Sequence, residues 1–263
     1  RQIGIPYHRI VCISEFTQKV VEPFINTYLA GETPNPCVLC NEKIRFFYMI
    51  EEYFRKQGHK PDDYKIATGH YARIEEKDNR FYLKRGKDKT KDQSYMLYRL
   101  SQEQLAHCIF PLGDYTKKQV REFAAKFGIE AAWVKDSQDI CFIENDYAEF
   151  IEKYIQKKMP EGNFLNKEGV VLGRHKGIHH YTRGQRKGLG LHGGPWYVLS
   201  IDTKSNNIIL GIKQDLEIKN FNVRNLSWIY PDFPKKIKRM VQTRYHSLSK
   251  ACEITPLNQD EIQ

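Results

Sequence analysis

Phe16, Val20, Phe24 and Tyr28 recur every four residues after Ser14. That spacing lines one face of an amphipathic helix, and Gly31 follows where a left-handed residue would end it. Pro23 lies inside the pattern and predicts a kink or a split into two pieces. Ahead of it, Ile5 to Ile13 is rich in isoleucine and valine and predicts a short strand. Thr33-Pro34-Asn35-Pro36 predicts a stiff, extended loop, because each proline restricts the residue before it. A second helix is predicted from Asn41, with Ile44, Phe47, Ile50 and Phe54 as its apolar positions and Gly58 near its end. Tyr64 to Thr68 reads as a buried strand that stops at Gly69-His70-Tyr71, and parallel α/β sheets place ligands at such strand ends. Lys117 to Phe127 predicts a further helix with Val120, Phe123, Ala124 and Phe127 on its core side and Gly128 after it.

The character of the chain then changes. Nine of the 17 glycines fall between Gly162 and Gly194, in a loop-rich, basic segment. Beyond it, Trp196 to Ile201 and Ile208 to Ile212 predict two strands joined at an Asn206-Asn207 turn. From Asn222 onward, alternation such as Met240, Gln242, Arg244 predicts an antiparallel sheet or barrel that the chain leaves unfinished. There is no internal repeat.

Composition narrows the function classes. The 263 residues are 40% hydrophobic, 28% charged and 13% aromatic, as in globular rather than disordered chains. No apolar run approaches the ~18–20 residues needed to cross a bilayer, so a membrane partner is not expected. The 42 Lys and Arg against 32 Asp and Glu leave a net charge of +10, which makes polyanions plausible partners. Six sparse cysteines fit a reducing, cytoplasmic compartment rather than a disulfide-stapled scaffold.

Cys37 and Cys40 form a C-x-x-C pair. With Cys40 at the predicted helix start, unpaired N–H groups and the helix dipole would favour a reactive thiolate. The same pair can be half of a zinc site, or can be inert. Cys141, beside Ile140 and Phe142, reads alone as a core residue, because free cysteine is often buried. Lys91-Asp92-Gln93-Ser94-Tyr95 puts a cation, an acceptor, an amide and a phenol together. His179-His180-Tyr181-Thr182-Arg183-Gly184-Gln185-Arg186-Lys187-Gly188 has the mix of cations, aromatics and glycine that suits phosphate contact and base stacking, or a basic surface turn.

Taken in order, several stretches resemble the tRNA-specific 2-thiouridylases, enzymes that replace the C2 oxygen of a wobble uridine with sulfur. They are Gly31-Glu32-Thr33-Pro34-Asn35-Pro36, Cys40-Asn41-Glu42-Lys43-Ile44-Arg45-Phe46, Ala67-Thr68-Gly69-His70-Tyr71-Ala72, Lys91 to Tyr95, Asp136-Ser137 through Cys141-Phe142-Ile143, Gly184 to Gly190, Pro195-Trp196-Tyr197-Val198 and Thr243-Arg244-Tyr245. The resemblance implies an adenine-nucleotide-hydrolase-like (PP-loop, Rossmann-like) α/β domain with a parallel sheet over residues 1–144, lacking its N-terminal strands. A mixed central tRNA-binding domain over 145–216 and an incomplete antiparallel β-barrel over 217–263 would follow.

It also implies roles. Cys141 corresponds to the cysteine that takes up a persulfide sulfur, and Cys40 to the nucleophile that closes a disulfide with it after sulfur leaves. Asn35, Pro36 and Cys37 fall in the loop facing the target base, and Gly69 corresponds to an ATP contact. His70, Lys91, Asp92, Gln93, Arg244 and Tyr245 match positions that touch tRNA. Sulfur would come from a relay protein or a cysteine desulfurase. Two departures stand out. Cys37 replaces an Asp common in the family, and with Cys40 and Cys141 makes a three-cysteine set like that of thiolation enzymes holding a 4Fe–4S cluster. The family's Ser-Gly-Gly-x-Asp-Ser ATP loop is absent, so the chain is expected to be a fragment. The rival reading is a non-catalytic tRNA-binding module whose three cysteines hold a structural metal or cluster.

Overall fold

Proline chemistry shapes the first two helices. The structure, a computed structural model, describes residues 4–60, 63–129, 140–230, 235–258 and 260–263. Helix α1 runs without interruption over residues 13–29. Pro23 has no N–H to bond back along the helix, and the backbone widens to π register over Thr17–Val21 just before it. The helix resumes α geometry over Glu22–Leu29, so Pro23 does not divide it. Gly31, at φ 75°, follows its end as expected.

Helix α2 covers residues 36–53, with Pro36–Leu39 and Met49–Tyr53 in α geometry and Cys40–Tyr48 in π register. It begins at Pro36, not at the predicted Asn41, because proline's fixed φ and missing N–H suit the first helical position. This corrects the expected placement of Cys40 at a helix start. The first turn holds Cys37, and Cys40 follows one turn inside.

The predicted strand over Ile5 to Ile13 is absent. Residues 4–12 have no regular structure, and Ile5, Tyr7 and Val11 are exposed. A strand needs a neighbour for its backbone hydrogen bonds, and no described strand pairs with this segment.

The chain divides into two compact units, each discontinuous in sequence. The first comprises Arg1–Glu15, Cys37–Asp136 and Asn220–Gln263. In it, β1 (Ile66–Ala67) pairs in parallel with β4 (Cys108–Ile109), while β2 (Ala72–Lys77) and β3 (Arg80–Arg85) form an antiparallel hairpin. Asp78 and Asn79 both take positive φ at its tip, as a right-twisted two-residue hairpin requires. Ser101 and Gln104 cap α3 (Gln102–His107) reciprocally, and Thr116 and Gln119 do the same for α4 (Lys117–Lys126). Phe46, Leu97, Leu105 and Phe110 centre the core of this unit. The expected core side of α4 is a second correction. Phe123 and Phe127 are exposed, Phe123 meeting only the edge of the Tyr115 ring at 5.2 Å among the described contacts.

The second unit comprises Phe16–Pro36 and Ser137–Lys219. Asp146 accepts from the N–H groups of Ala148 and Glu149 and so starts α5 (Tyr147–Ile155). Ile151 of α5 packs with Val21, Phe24, Ile25 and Tyr28 of α1. The sheet of this unit has the order β6-β5-β8-β7, from β5 (Gly162–Leu165), β6 (Val171–His175), β7 (Tyr197–Asp202) and β8 (Asn207–Gly211). Only β5 and β8 pair in parallel. The predicted turn is present, with Asn206 at φ 53°.

The last residues of the first unit form small antiparallel sheets. One joins β10 (Ile237–Val241) to β11 (Lys250–Ile254), and the other joins β9 (Val223–Arg224), β13 (Glu261–Ile262) and β12 (Pro256–Asn258). No sheet among the described residues closes into a barrel.

Candidate functional site

The residues after Cys40 bolt helix α2 to the rest of the first unit. Asn41, buried, donates from Nδ2 to the Met96 carbonyl at 2.9 Å, and Glu42 pairs with Arg99 at 2.7 Å. The Gln104 amide donates to the carbonyls of Glu42 and Phe46, at 3.0 and 3.1 Å, and so satisfies backbone groups of the π segment. The stretch Cys40-Asn41-Glu42 thus has two members spent on fixing the helix, which leaves the half-buried Cys40 thiol on a rigid support.

The turn at 91–95 is built from its own side chains. Asp92 accepts from the N–H groups of Gly86 and Ser94 and from the Ser94 hydroxyl. Gln93 exchanges two hydrogen bonds with the backbone of Tyr71, at 2.9 and 3.0 Å, and so ties the turn to the residue after His70. Tyr95 donates to the Thr243 carbonyl at 3.2 Å and lies 6.0 Å from the Tyr245 ring. The Tyr245 hydroxyl is pushed up by burial, then by the Asp92 charge, with Lys91 opposing and Cys37 adding to the shift. Cys37, Lys91, Asp92, Arg244 and Tyr245, from three separate stretches of sequence, therefore share one neighbourhood.

A feature the sequence reading missed lies beside them. The rings of Tyr98, Tyr95, Tyr245 and His246 form a row with centroid separations of 6.1, 6.0 and 3.9 Å. Tyr98 is exposed, Arg244 is exposed next to the row, and such a strip offers faces on which bases can stack. The i,i+3 spacing of Tyr95 and Tyr98 was the available signal.

Gly69 and His70 follow β1. Thr68 continues the edge by donating its N–H to the Ile109 carbonyl at 3.1 Å. A Cβ on Gly69 would meet only Leu112, at 3.7 Å, so its surroundings are open. His70 is buried between the rings of Phe46 and Phe110, with Nδ1 2.8 Å from the Thr68 hydroxyl. Burial, and then the nearby Arg45 charge, lower its pKa to about 4. Its ring is neutral at neutral pH and is not a cation for phosphate.

In the second unit, Cys141 is exposed, which corrects its reading as a core residue. Ile140 and Phe142 on either side pack against the α1–α5 core, and Ile143 N–H closes a turn onto the Ile140 carbonyl at 3.0 Å. The flanking side chains anchor the turn, and Cys141 at its tip is exposed. The motif's earlier part, Asp136-Ser137, lies outside the described residues. Asn35 belongs to the segment after α1, which a Thr33–Thr182 hydroxyl hydrogen bond ties to the basic loop, and Pro36 opens α2.

That loop divides in two. His179 and Tyr181 are buried, contrary to a surface turn throughout, because the turn at Ile178–His180 packs into the unit. Arg183 donates to the Leu199 carbonyl at 2.9 Å, and Gly184 and Gln185 bond to Val198. Arg186 and Lys187, beyond these anchors, are exposed, and Arg186 borders an open cleft of about 470 Å³ that runs to Trp196.

Residues 1–145 match the family described as tRNA methyl transferase HUP domain, and residues 148–212 match the tRNA methyl transferase PRC-barrel domain. The tRNA-specific 2-thiouridylase MnmA 1 of Clostridium tetani is 43% identical over 264 residues, covering 99% of this chain and 72% of the relative. MnmA 1 of Caldanaerobacter subterraneus subsp. tengcongensis is 44% identical, covering 99% and 71%. MnmA of Clostridioides difficile is 40% identical over 267 residues, covering 100% and 73%. With identity of this order along its whole length, the chain belongs to the family of tRNA-specific 2-thiouridylases of the MnmA type.

Proposed function

We propose that this protein uses ATP to replace the C2 oxygen of a tRNA uridine with sulfur, at the wobble position. The family descriptions name methyl transfer and the relatives name thiolation. The observation that favours sulfur is the exposed Cys141, presented at the tip of a turn whose neighbours are locked into a core.

The C2 oxygen is a poor leaving group, so adenylation by ATP, with loss of pyrophosphate, prepares it; Gly69 belongs to the ATP-contacting strand end. A relay protein or cysteine desulfurase loads Cys141 with a second sulfur. That terminal sulfur attacks C2, and AMP departs with the oxygen. The Cys40 thiolate then attacks the Cys141 Sγ, which breaks the S–S bond, releases the thiolated base and leaves a disulfide for an external two-electron reductant. Asn35, Pro36 and Cys37 face the base. The tRNA lies on Lys91, Arg244 and Tyr245, with Asp92 and Gln93 holding the turn in shape and His70 contributing a neutral ring.

Cys37 and Cys40 on α2 and the exposed Cys141 are thiol donors of the kind that hold a 4Fe–4S cluster. Bound there, such a cluster would offer an open iron to hydrosulfide.

The test is nucleoside mass spectrometry of tRNA from thiouridylase-deficient cells expressing the wild type, Cys141→Ser or Cys40→Ser. Wild type restores 2-thiouridine, and each variant loses it by at least about 100-fold, a general expectation for removing a nucleophile, with tRNA affinity within twofold. Full thiolation by either variant refutes the assigned roles. Failure of every protein, with tRNA binding intact, favours a non-catalytic tRNA-binding module.

A further inference from the structure

We propose that Glu152, His179 and His180 form a binding site for one divalent transition-metal ion of the zinc class. Each supplies one ligand atom, and these atoms lie within 4.8 Å of one another. They come from α5 and the turn at Ile178–His180, both in the second unit.

His179 carries the argument. It is fully buried, and neither ring nitrogen has a hydrogen-bond partner. Its Nε2 lies 3.4 Å from the Glu152 carboxylate. A buried imidazole nitrogen without a hydrogen-bond partner, facing a carboxylate, is a metal-ligand arrangement, since a cation between them satisfies both.

The surroundings hold the groups in place. Glu152 accepts from the Met159 N–H at 3.1 Å, and Tyr147 donates to the His180 carbonyl at 2.9 Å. The His179 and His180 rings are 4.4 Å apart. At Gly177 a Cβ would stand 2.6 Å from His179 Cε1, so the glycine makes room for the imidazole. His175 shows the contrast. It is equally buried, but its Nδ1 accepts from Gly177 N–H and its Nε2 meets the Asn206 carbonyl.

Two imidazoles and a carboxylate suit zinc and leave a fourth position for water. The ion would clamp α5 to the turn that leads into Arg183-Gly184-Gln185-Arg186-Lys187 and so stiffen the basic loop.

The test is titration of the chelator-dialysed full chain, carrying Cys37→Ser, Cys40→Ser and Cys141→Ser to remove those thiols, with Zn²⁺, and with Co²⁺ as the spectroscopic probe. The expected result is one ion per chain and a visible Co²⁺ band without thiolate charge transfer. Glu152→Gln and His180→Ala each weaken binding at least tenfold, and His179→Gln abolishes it. Should His179→Gln fail to fold, the other two, at less buried positions, decide. No stoichiometric binding, or equal binding by Glu152→Gln and His180→Ala, overturns the proposal.

Discussion

Lowering the pH should destabilise the first unit through His70, and by an amount the structure sets. The ring lies between Phe46 and Phe110, where burial lowers its pKa from 6.5 to about 4. The unfolded chain therefore binds this proton more readily than the folded one. Above the unfolded pKa neither state is protonated and the group adds no pH dependence. As pH falls through 6.5 the unfolded state gains the proton and stability drops, and the loss levels off below about 4. Between pH 7 and pH 5 linkage converts this shift to about 2 kcal/mol of lost stability, against a maximum of about 3 kcal/mol. The comparison protein is His70→Phe, which keeps an aromatic ring between its neighbours and has no proton to bind. Urea unfolding of both at pH 7, 6 and 5 isolates the effect, because every other histidine cancels in the difference. The wild type should lose about 2 kcal/mol more than the variant over that range. Equal losses, or a His70 resonance titrating near its ordinary value, would refute the reasoning.

Other expectations follow from single contacts. Arg244→Ala should weaken tRNA binding and reduce the slope of log K against log salt by about one, as loss of one phosphate contact does; an unchanged slope in filter binding removes Arg244 from the interface. Burial pushes the Cys108 thiol up to about 12 despite Lys65 nearby, so iodoacetamide should label exposed Cys141 in the folded protein and reach Cys108 only on unfolding, as peptide mass mapping would show. Gly113→Ala would place a Cβ 1.9 Å from the Ala72 carbonyl oxygen, a backbone atom that cannot swing aside. It should cost at least about 2 kcal/mol in urea unfolding, and a cost below about 0.5 kcal/mol would contradict that packing.

Local chemistry was the legible part of this sequence. The helix through Phe16 and Phe24, the Asn206 turn, the strands around it and Gly58 at a left-handed end (φ 81°) were readable because neighbours in sequence decide them. Pro36 was misread because the same residue that ends a helix also starts one, and only its position distinguishes the two. Ile5 to Ile13 has strand composition but no described strand to pair with, and pairing is not a local property. The apolar period of α4 was real, yet period says nothing about what covers a face.

The site divides in the same way. Cys37, Cys40, Cys141, Lys91 to Gln93, Arg244 and Tyr245 were named from motifs, without any indication that Tyr95 bridges to Thr243. The burial of His70 and His179 was invisible, since a histidine among aromatics can face either way.

The packing of α1 on α5 constrains how the protein can be made and dissected. Val21, Phe24 and Tyr28 leave the ribosome more than a hundred residues ahead of their partner Ile151. Until then those side chains have no core to enter, and the whole intervening stretch must be closed as a loop before they find one. They are a patch for chaperones to hold during synthesis. By the same reasoning, residues 148–212 cut out alone would expose the α5 face that α1 covers, and should be recovered in soluble form only when a peptide spanning residues 16–36 is supplied with them.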